Sequence, residues 1–239
     1  MGVQMGELSV FAKKQEVLNV LFKAAQLYEK NLNNKNILVV YRQQPNQYGY
    51  FEGVFSAKNF HHLTGTKIRK DLLVIDFYER CLNKRLSIAD FELADDGTTY
   101  LKKDILEKVM QIQYISKMVG VYNGNKPRLY TEKLVGNITC CLGFVKEPSG
   151  YFAPNTVLKS DIRTEVISTN QLIAIYIKNV EETHYNRLCY VAKGLQPEQL
   201  RSNSEIEAKL DKENLIIECN KIIEDKKESN LKSKKKKRK

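Results

Sequence analysis

Apolar residues recur at helical spacing in the first half of the chain. Residues 12–32 place five of them on one face of an amphipathic helix, namely Val17, Leu21, Ala24, Tyr28 and Leu32. Similar spacing predicts helices over 71–83 and 101–112, and Gly120 is a natural stop after the third helix. The first half is therefore predicted to be rich in helix.

β-rich runs separated by turn-forming residues dominate the chain after residue 118. The predicted strands are 37–41 and 48–55 early in the chain, then 91–93, 119–122, 138–145, 151–158, 172–178 and 188–193. Residues 172–177 are apolar on both faces, which is typical of a central strand. Helices followed by consecutive strands predict an α+β fold, with N-terminal helices packed on an antiparallel sheet.

The composition of the chain changes after Gly194, where charged residues become dense. Ser202 and Glu205 have the spacing of a capping box and predict a charged C-terminal helix. The expected divisions are a flexible N-terminus (1–11), one compact domain (12–195), a peripheral helix (196–226) and a disordered basic tail (227–239).

Positive charge is concentrated at the end of the chain. The net charge is +11, and seven of the eight residues in 232–239 are basic, which leaves +4 for the rest. This distribution favours RNA or another polyanion as a partner, while a solvated tail that aids solubility is the alternative. The sequence has no apolar run long enough to span a bilayer and no visible signal peptide, so we expect a cytoplasmic protein without a membrane partner.

No two of the five cysteines have the C-x-x-C spacing that is typical of zinc sites, and no cluster of His and Asp has the spacing of metal ligands. We therefore expect no metal and no cofactor. A nucleophilic cysteine is not favoured either, because no neighbouring residue would activate a thiolate.

Two of the three histidines are adjacent, at His61 and His62, and are followed closely by Thr64 and Gly65. Imidazole is the side chain whose ordinary pKa lies nearest neutrality, so this segment is the leading candidate for acid–base chemistry. The third histidine, His184, lies in a polar turn and is interpreted as an exposed loop residue.

Residues 59–65, with the sequence Asn-Phe-His-His-Leu-Thr-Gly, resemble the F-x-H-L-T-G signature of nuclease-like domains of phages and mobile elements. This group is named for barnase, EndoU, colicin and RelE toxins (the PBECR type). The resemblance covers about 12–195, and its further motifs are 76–79 (Asp-Phe-Tyr-Glu), 97–99 (Gly-Thr-Thr), 126–134 and 154–156 (Pro-Asn-Thr). It implies a BECR-like α+β fold and RNA as substrate.

Metal-independent RNases use the RNA 2′-hydroxyl as nucleophile, and they need a base, an acid and cationic donors. The resemblance implies that His62 is the base, with Thr64 and Lys133 completing the catalytic set. The residues assigned to substrate binding are His61, Gly65, Tyr130 and Thr131. His61 occupies the variable position of the motif, and adjacent side chains diverge on a helix or strand, so we do not expect it to pair with His62 across one phosphate.

Other interpretations stay open. In the structural one, His62 is a capping or core-edge residue, Thr64 caps a helix and Gly65 turns the chain. In another, the fold is catalytically inactive and acts as a nucleic-acid-binding module. In the third, it is a protein-interaction module in phage–host conflict, with a protein partner or inhibitor.

Deleting 232–239 should weaken polyanion binding and flatten its dependence on salt. The slope of log K against log salt should fall by about 0.7 for each phosphate of a single strand that the shortened protein no longer neutralises. Binding of labelled RNA across a salt series, with circular dichroism to show an unchanged fold, measures this. An unchanged slope would exclude a nucleic-acid role for the tail.

Overall fold

The first predicted helix is present and is longer than expected. Helix α1 spans Gly2–Asn31, so it includes most of the segment 1–11 that the sequence predicts to be a flexible N-terminus. The five residues of its predicted apolar face are each no more than 2% exposed. The structure, a computed structural model, describes residues 2–45, 47–125, 128–195 and 204–219.

Six shorter helices follow in the described residues: α2 (Ala57–Thr64), α3 (Val74–Leu82), α4 (Thr98–Val109), α5 (Ile112–Ile115), α6 (Ile162–Glu165) and α7 (Ser204–Glu207). The histidine segment forms α2, which begins where the Asn59 side chain accepts a hydrogen bond from the Ser56 N–H at 2.8 Å. The helix ends at Gly65, whose φ of 70° is the left-handed conformation that suits glycine.

The described residues contain eleven strands: β1 (Lys35–Gln44), β2 (Gln47–Phe55), β3 (Thr66–Ile68), β4 (Phe91–Leu93), β5 (Met118–Val121), β6 (Lys133–Gly136), β7 (Cys141–Lys146), β8 (Phe152–Leu158), β9 (Asn170–Asn179), β10 (Arg187–Val191) and β11 (Ile216–Ile217). Gly120 does not stop a helix as predicted but lies inside β5, where an added Cβ would be 2.6 Å from the Ser168 carbonyl. Strand β6 has no counterpart among the predicted strands.

Nine strands form one mostly antiparallel sheet in the order β1-β2-β8-β7-β6-β5-β9-β10-β11. Because β9 also pairs with β1, the first seven strands of this order close into a ring. Strand β9 pairs with β1, β5 and β10, so its predicted central position is confirmed. The ring is weakest between β2 and β8, which share a single parallel pair, Gly53 with Phe152.

An aromatic cluster joins the helices to the sheet. The Tyr28 ring of α1 lies 5.4 Å from Phe60 of α2, 5.7 Å from Tyr78 of α3 and 6.2 Å from Phe55 of β2, measured between ring centroids. The Tyr28 hydroxyl donates to the Ser56 carbonyl at 2.9 Å, just before α2 begins. The N-terminal helices are therefore packed on the sheet, as the α+β prediction requires.

The C-terminal segment differs from the predicted peripheral helix of 196–226. Within 204–219, helix covers Ser204–Glu207 alone, and the chain then bridges to Tyr185 through Leu210 and adds β11 beside β10. Its apolar residues are too few for a long amphipathic helix, and two of them, Ile206 and Leu210, are buried in the core. Residues 126–127, 196–203 and 220–239, which include the predicted basic tail, lie outside the described residues.

None of the helices that the structure describes has the length and apolarity needed to cross a bilayer.

Truncating Ile206 tests whether the segment 204–219 is part of the folded domain. Ile206 is 0% exposed, so Ile206→Ala should lower the free energy of unfolding by about 2–5 kcal/mol in urea denaturation. Ile216→Ala in the same segment is the matched control, since Ile216 is 50% exposed and its truncation should change stability by no more than about 0.5 kcal/mol. Equal effects of the two variants would contradict the docked position of the segment.

Candidate functional site

Helix α2 divides the histidine motif into buried and exposed residues. Phe60 and Leu63 are 0% exposed and Thr64 is 1% exposed, whereas His62 is exposed. Positions 60, 63 and 64 lie on one helical face, so burying them turns position 62 towards solvent. Packing therefore explains the other side chains of the motif but not the imidazole of His62.

Thr64 and Gly65 terminate α2 and connect it to its neighbours. The Thr64 hydroxyl donates to the His61 carbonyl at 2.8 Å and lies 2.7 Å from the Thr66 hydroxyl. The Gly65 carbonyl accepts a hydrogen bond of 2.6 Å from the Thr99 hydroxyl, which belongs to the Gly-Thr-Thr motif at the start of α4. A hydroxyl buried and bonded in this way is not presented to a phosphate, so the placement of Thr64 favours the structural interpretation over the expected catalytic role.

His61 is half-buried and held by two contacts. Its Nε2 lies 2.9 Å from the Thr66 carbonyl, which only accepts, so Nε2 carries the hydrogen. Its ring packs edge-on against Phe77 at 5.2 Å, and Nδ1 is buried without a partner in the described residues. Burial lowers the pKa of His61, which favours the neutral form of the ring. This placement favours a structural role for His61 over the expected contact with substrate.

A lysine that the motifs do not include lies beside His62. The Lys102 ammonium of α4 donates to the His62 backbone carbonyl at 3.0 Å. Its stem crosses Gly65 so closely that a Cβ there would be 2.8 Å from Lys102 Cδ. Burial lowers the pKa of Lys102 to about 8. The exposed end of α2 therefore carries an imidazole and an amine that titrates near neutrality.

The rings of His61 and His62 are closer than their sequence positions imply. Their centroids lie 5.7 Å apart, with 54° between the ring planes. Both the His62 imidazole and the Lys102 ammonium contribute to lowering the pKa of His61, so the three groups form one electrostatic cluster. We call these residues, His61, His62 and Lys102, the α2 cluster.

The described residues of the motif 126–134 lie in two different environments. Tyr130 is 85% exposed, and its carbonyl accepts a hydrogen bond from the Asn155 side chain. The Thr131 hydroxyl donates to Asn155 Oδ1 at 2.6 Å. Lys133 is half-buried and lines a cleft beside Phe51 and Phe152.

No hydrogen bond, ion pair or ring contact in the described part of the chain links Lys133 to the α2 cluster, and no residue of α2 lines the Lys133 cleft. The site residues predicted as one catalytic set therefore lie in two neighbourhoods. Lys102 was not predicted as a site residue, because only its position in the predicted helix after the Gly-Thr-Thr motif sets it apart from other lysines.

Cysteine and metal chemistry find little support in the described residues. Burial raises the pKa of four thiols, which disfavours a thiolate nucleophile: Cys81, Cys140, Cys141 and Cys189. Across 2–45, 47–125, 128–195 and 204–219, no three His, Cys, Asp or Glu side chains are grouped so that they could hold a metal ion.

Comparison with known families confirms the resemblance carried by the motifs. Residues 20–194 match the family model described as phage-Barnase-EndoU-ColicinE5/D-RelE like nuclease4, which is well over half of the 239 residues. No curated protein and no solved structure matches the chain.

The lowered pKa of Lys102 predicts a specific dependence of stability on pH. Between about 8 and the ordinary lysine value of 10.5 the unfolded chain binds more protons at this position, so the contribution of Lys102 to stability rises with pH over that window. The free energy of unfolding of wild type and of Lys102→Met should be measured by denaturation from pH 7 to 11. Relative to wild type, the variant should be more stable below pH 8, and this difference should shrink as the pH rises above 8.

Lys108→Met, at an exposed position of the same helix, is the control for removing one charge from α4. A Lys102→Met curve parallel to that of Lys108→Met would contradict the desolvated position of the Lys102 ammonium.

Proposed function

Because the chain belongs to the phage-Barnase-EndoU-ColicinE5/D-RelE like nuclease4 family, we propose that it is a metal-independent RNase whose catalytic groups lie at the exposed end of α2. The observation that carries this proposal is the exposure of His62 within a motif whose Phe60, Leu63 and Thr64 side chains are buried. The amine of Lys102, held at the carbonyl of His62, supplies a group that can donate a proton.

The reaction needs no group beyond the RNA and these two side chains. The His62 imidazole accepts the proton of the 2′-hydroxyl while that oxygen attacks the adjacent phosphorus. The bond from phosphorus to the 5′-oxygen breaks, and the leaving oxygen takes a proton from the Lys102 ammonium. The products are a 2′,3′-cyclic phosphate and a 5′-hydroxyl end.

The properties of Lys102 suit the role of acid. With a pKa of about 8 it is mostly protonated at neutral pH, and it gives up its proton more readily than an ordinary lysine. Its positive charge also stabilises the extra negative charge on the phosphate in the transition state.

A further cation lies on the same face of α2. Lys58 is exposed and precedes His62 by four residues, which places the two side chains one helical turn apart. Its ammonium is available to bind a neighbouring phosphate of the RNA and to hold the scissile unit over His62.

One observation favours the alternative, an inactive nuclease-like fold that binds nucleic acid. In the described residues, no hydrogen bond is made by the His62 imidazole, whereas a catalytic base is usually oriented by a third group. If the substrate itself orients the ring, the catalytic proposal holds. RNA binding without cleavage would instead support the binding module.

The test is cleavage of RNA in EDTA, with product ends identified by mass spectrometry. His62→Ala should reduce the rate by about 10²–10⁴-fold, the usual contribution of a general base. His184→Ala is the matched control, because His184 is exposed in a loop and its loss should leave the rate unchanged. Lys102→Met should also reduce the rate and should shift the alkaline limb of the pH–rate profile.

Cleavage by wild type that is unaffected by His62→Ala would place the reaction elsewhere. Cleavage that disappears in EDTA would refute the metal-independent mechanism, and no cleavage of any RNA by wild type would favour the inactive fold.

A further inference from the structure

A cleft of about 530 Å³ opens at the weak junction of the ring, where β2 meets β8. Its polar lining comes from β2, β6, β7 and the turn between β7 and β8: Tyr50, Glu52, Lys133, Lys146, Ser149 and Tyr151. A volume of this size falls in the range of small-molecule sites in proteins.

Lys133 is a half-buried charged group of the cleft whose ammonium faces aromatic rings. Its ammonium lies 5.7 Å from the Phe51 ring centroid, 5.6 Å from that of Phe152 and 6.0 Å from that of Tyr41. No hydrogen bond or ion pair of this ammonium occurs among the residues that the structure describes, although it carries three donors. Burial lowers the pKa of Lys133, which reflects the cost of holding this charge without an acceptor.

The neighbours of Lys133 make the cleft attractive to an anion. The ammonium of Lys146 is close enough to lower the pKa of Lys133 further. Ser149, an exposed residue of the turn between β7 and β8, lines the same cleft. Two ammonium groups and a hydroxyl are the donors that proteins commonly direct at a phosphate group.

Two carboxylates lie near these ammonium groups and offset part of their charge. Glu132 raises the pKa of Lys133, and its Oε1 accepts a hydrogen bond of 2.9 Å from the Lys146 backbone N–H. Glu52 is paired with Lys209 at 2.6 Å and accepts a hydrogen bond of 2.9 Å from the Tyr185 hydroxyl. Lys209 belongs to the segment 204–219, outside the family match of 20–194. Lys209 thus neutralises Glu52, and in the described residues neither Lys133 nor Lys146 forms an ion pair.

We propose that this cleft is a nucleotide-binding site separate from the α2 cluster, in which the phosphate contacts Lys133, Lys146 and Ser149 and the base stacks on Tyr151. Tyr151 is half-buried and lines the same cleft as Lys133, Lys146 and Ser149. A nucleoside monophosphate, free or as one unit of an RNA chain, combines the anion and the flat ring that these side chains recognise. The site requires no reaction at His62.

The test is calorimetric titration of the full chain with adenosine 5′-monophosphate, adenosine and inorganic phosphate at about 0.15 M salt, where surface charges are largely screened. The monophosphate should bind with a dissociation constant of about 1 mM or tighter, phosphate should bind more weakly, and adenosine should not bind detectably.

Lys133→Met keeps the apolar stem and should weaken binding of the monophosphate at least tenfold. Tyr151→Ala should weaken the monophosphate but leave phosphate unchanged. Lys159→Met removes one charge from the surface outside the cleft and should change binding less than twofold. Thermal unfolding of each variant shows whether it is folded.

The proposal is overturned if wild type does not bind the monophosphate, or if Lys133→Met binds it no more weakly than Lys159→Met does. A short 2′-deoxyoligonucleotide, which cannot be cleaved, distinguishes the two sources of the ligand. If the oligonucleotide binds and the binding depends on Lys133, the natural ligand is a unit of a nucleic-acid chain. If the oligonucleotide does not bind at this site, the natural ligand is a free nucleotide.

The His62→Ala variant separates this proposal from the RNase mechanism. It should bind the monophosphate like wild type even though it loses cleavage. Failure of cleavage in every variant leaves the binding measurements valid, and loss of monophosphate binding in His62→Ala would mean that the two sites are one.

Discussion

The position of α2 depends on the burial of Phe60 among the rings of Tyr28 and Tyr78. This aromatic contact joins three helices, and the hydroxyl of Tyr28 additionally bonds the carbonyl of Ser56 at the start of α2. Since α2 is a helix of only eight residues, it has little stability of its own and takes its orientation from this packing. The exposure of His62 follows, because it lies two positions from Phe60 and on a different face of the helix.

A close approach of α4 to the end of α2 determines the chemistry beside His62. Gly65 has no side chain, which lets the stem of Lys102 cross the end of α2, and its carbonyl is bonded by Thr99 from the same helix. The ammonium of Lys102 is thereby held at the His62 carbonyl, where burial raises the cost of its charge. Gly65 thus has a structural role, and this role also places the Lys102 ammonium beside His62, where the proposed reaction needs it.

Local sequence patterns were enough to predict the fold class and most elements. The apolar stripe of α1, the early hairpin β1–β2 and the central β9 were all visible in residue periodicity, and the motifs identified the family. Strand β6 was missed because its sequence, Lys-Leu-Val-Gly, does not alternate apolar and polar residues. The long C-terminal helix was predicted from a capping box, but the burial of Ile206 and Leu210 against the sheet determines the structure there.

The candidate site was less predictable because it is formed by contacts between distant segments. Lys102 reaches His62 across forty residues, which no spacing rule reveals. Lys133 was grouped with His62 because both lie in family motifs, yet the sheet places Lys133 in a separate cleft. A family motif identifies residues that matter to the fold or the function, but it does not show which of them share a site.

The cleft and the α2 cluster both lie where regular structure ends, one at the weakest strand junction and the other at a helix terminus. Such places leave polar groups unpaired, and unpaired groups are available to a ligand. The segment 204–219 adds to this arrangement from outside the family-matched residues, since Lys209 neutralises Glu52 at the cleft wall. Without that ion pair, Glu52 would oppose the approach of a phosphate to Lys133. The charge of the cleft is therefore a property of the described chain as a whole and not of the family-matched domain alone.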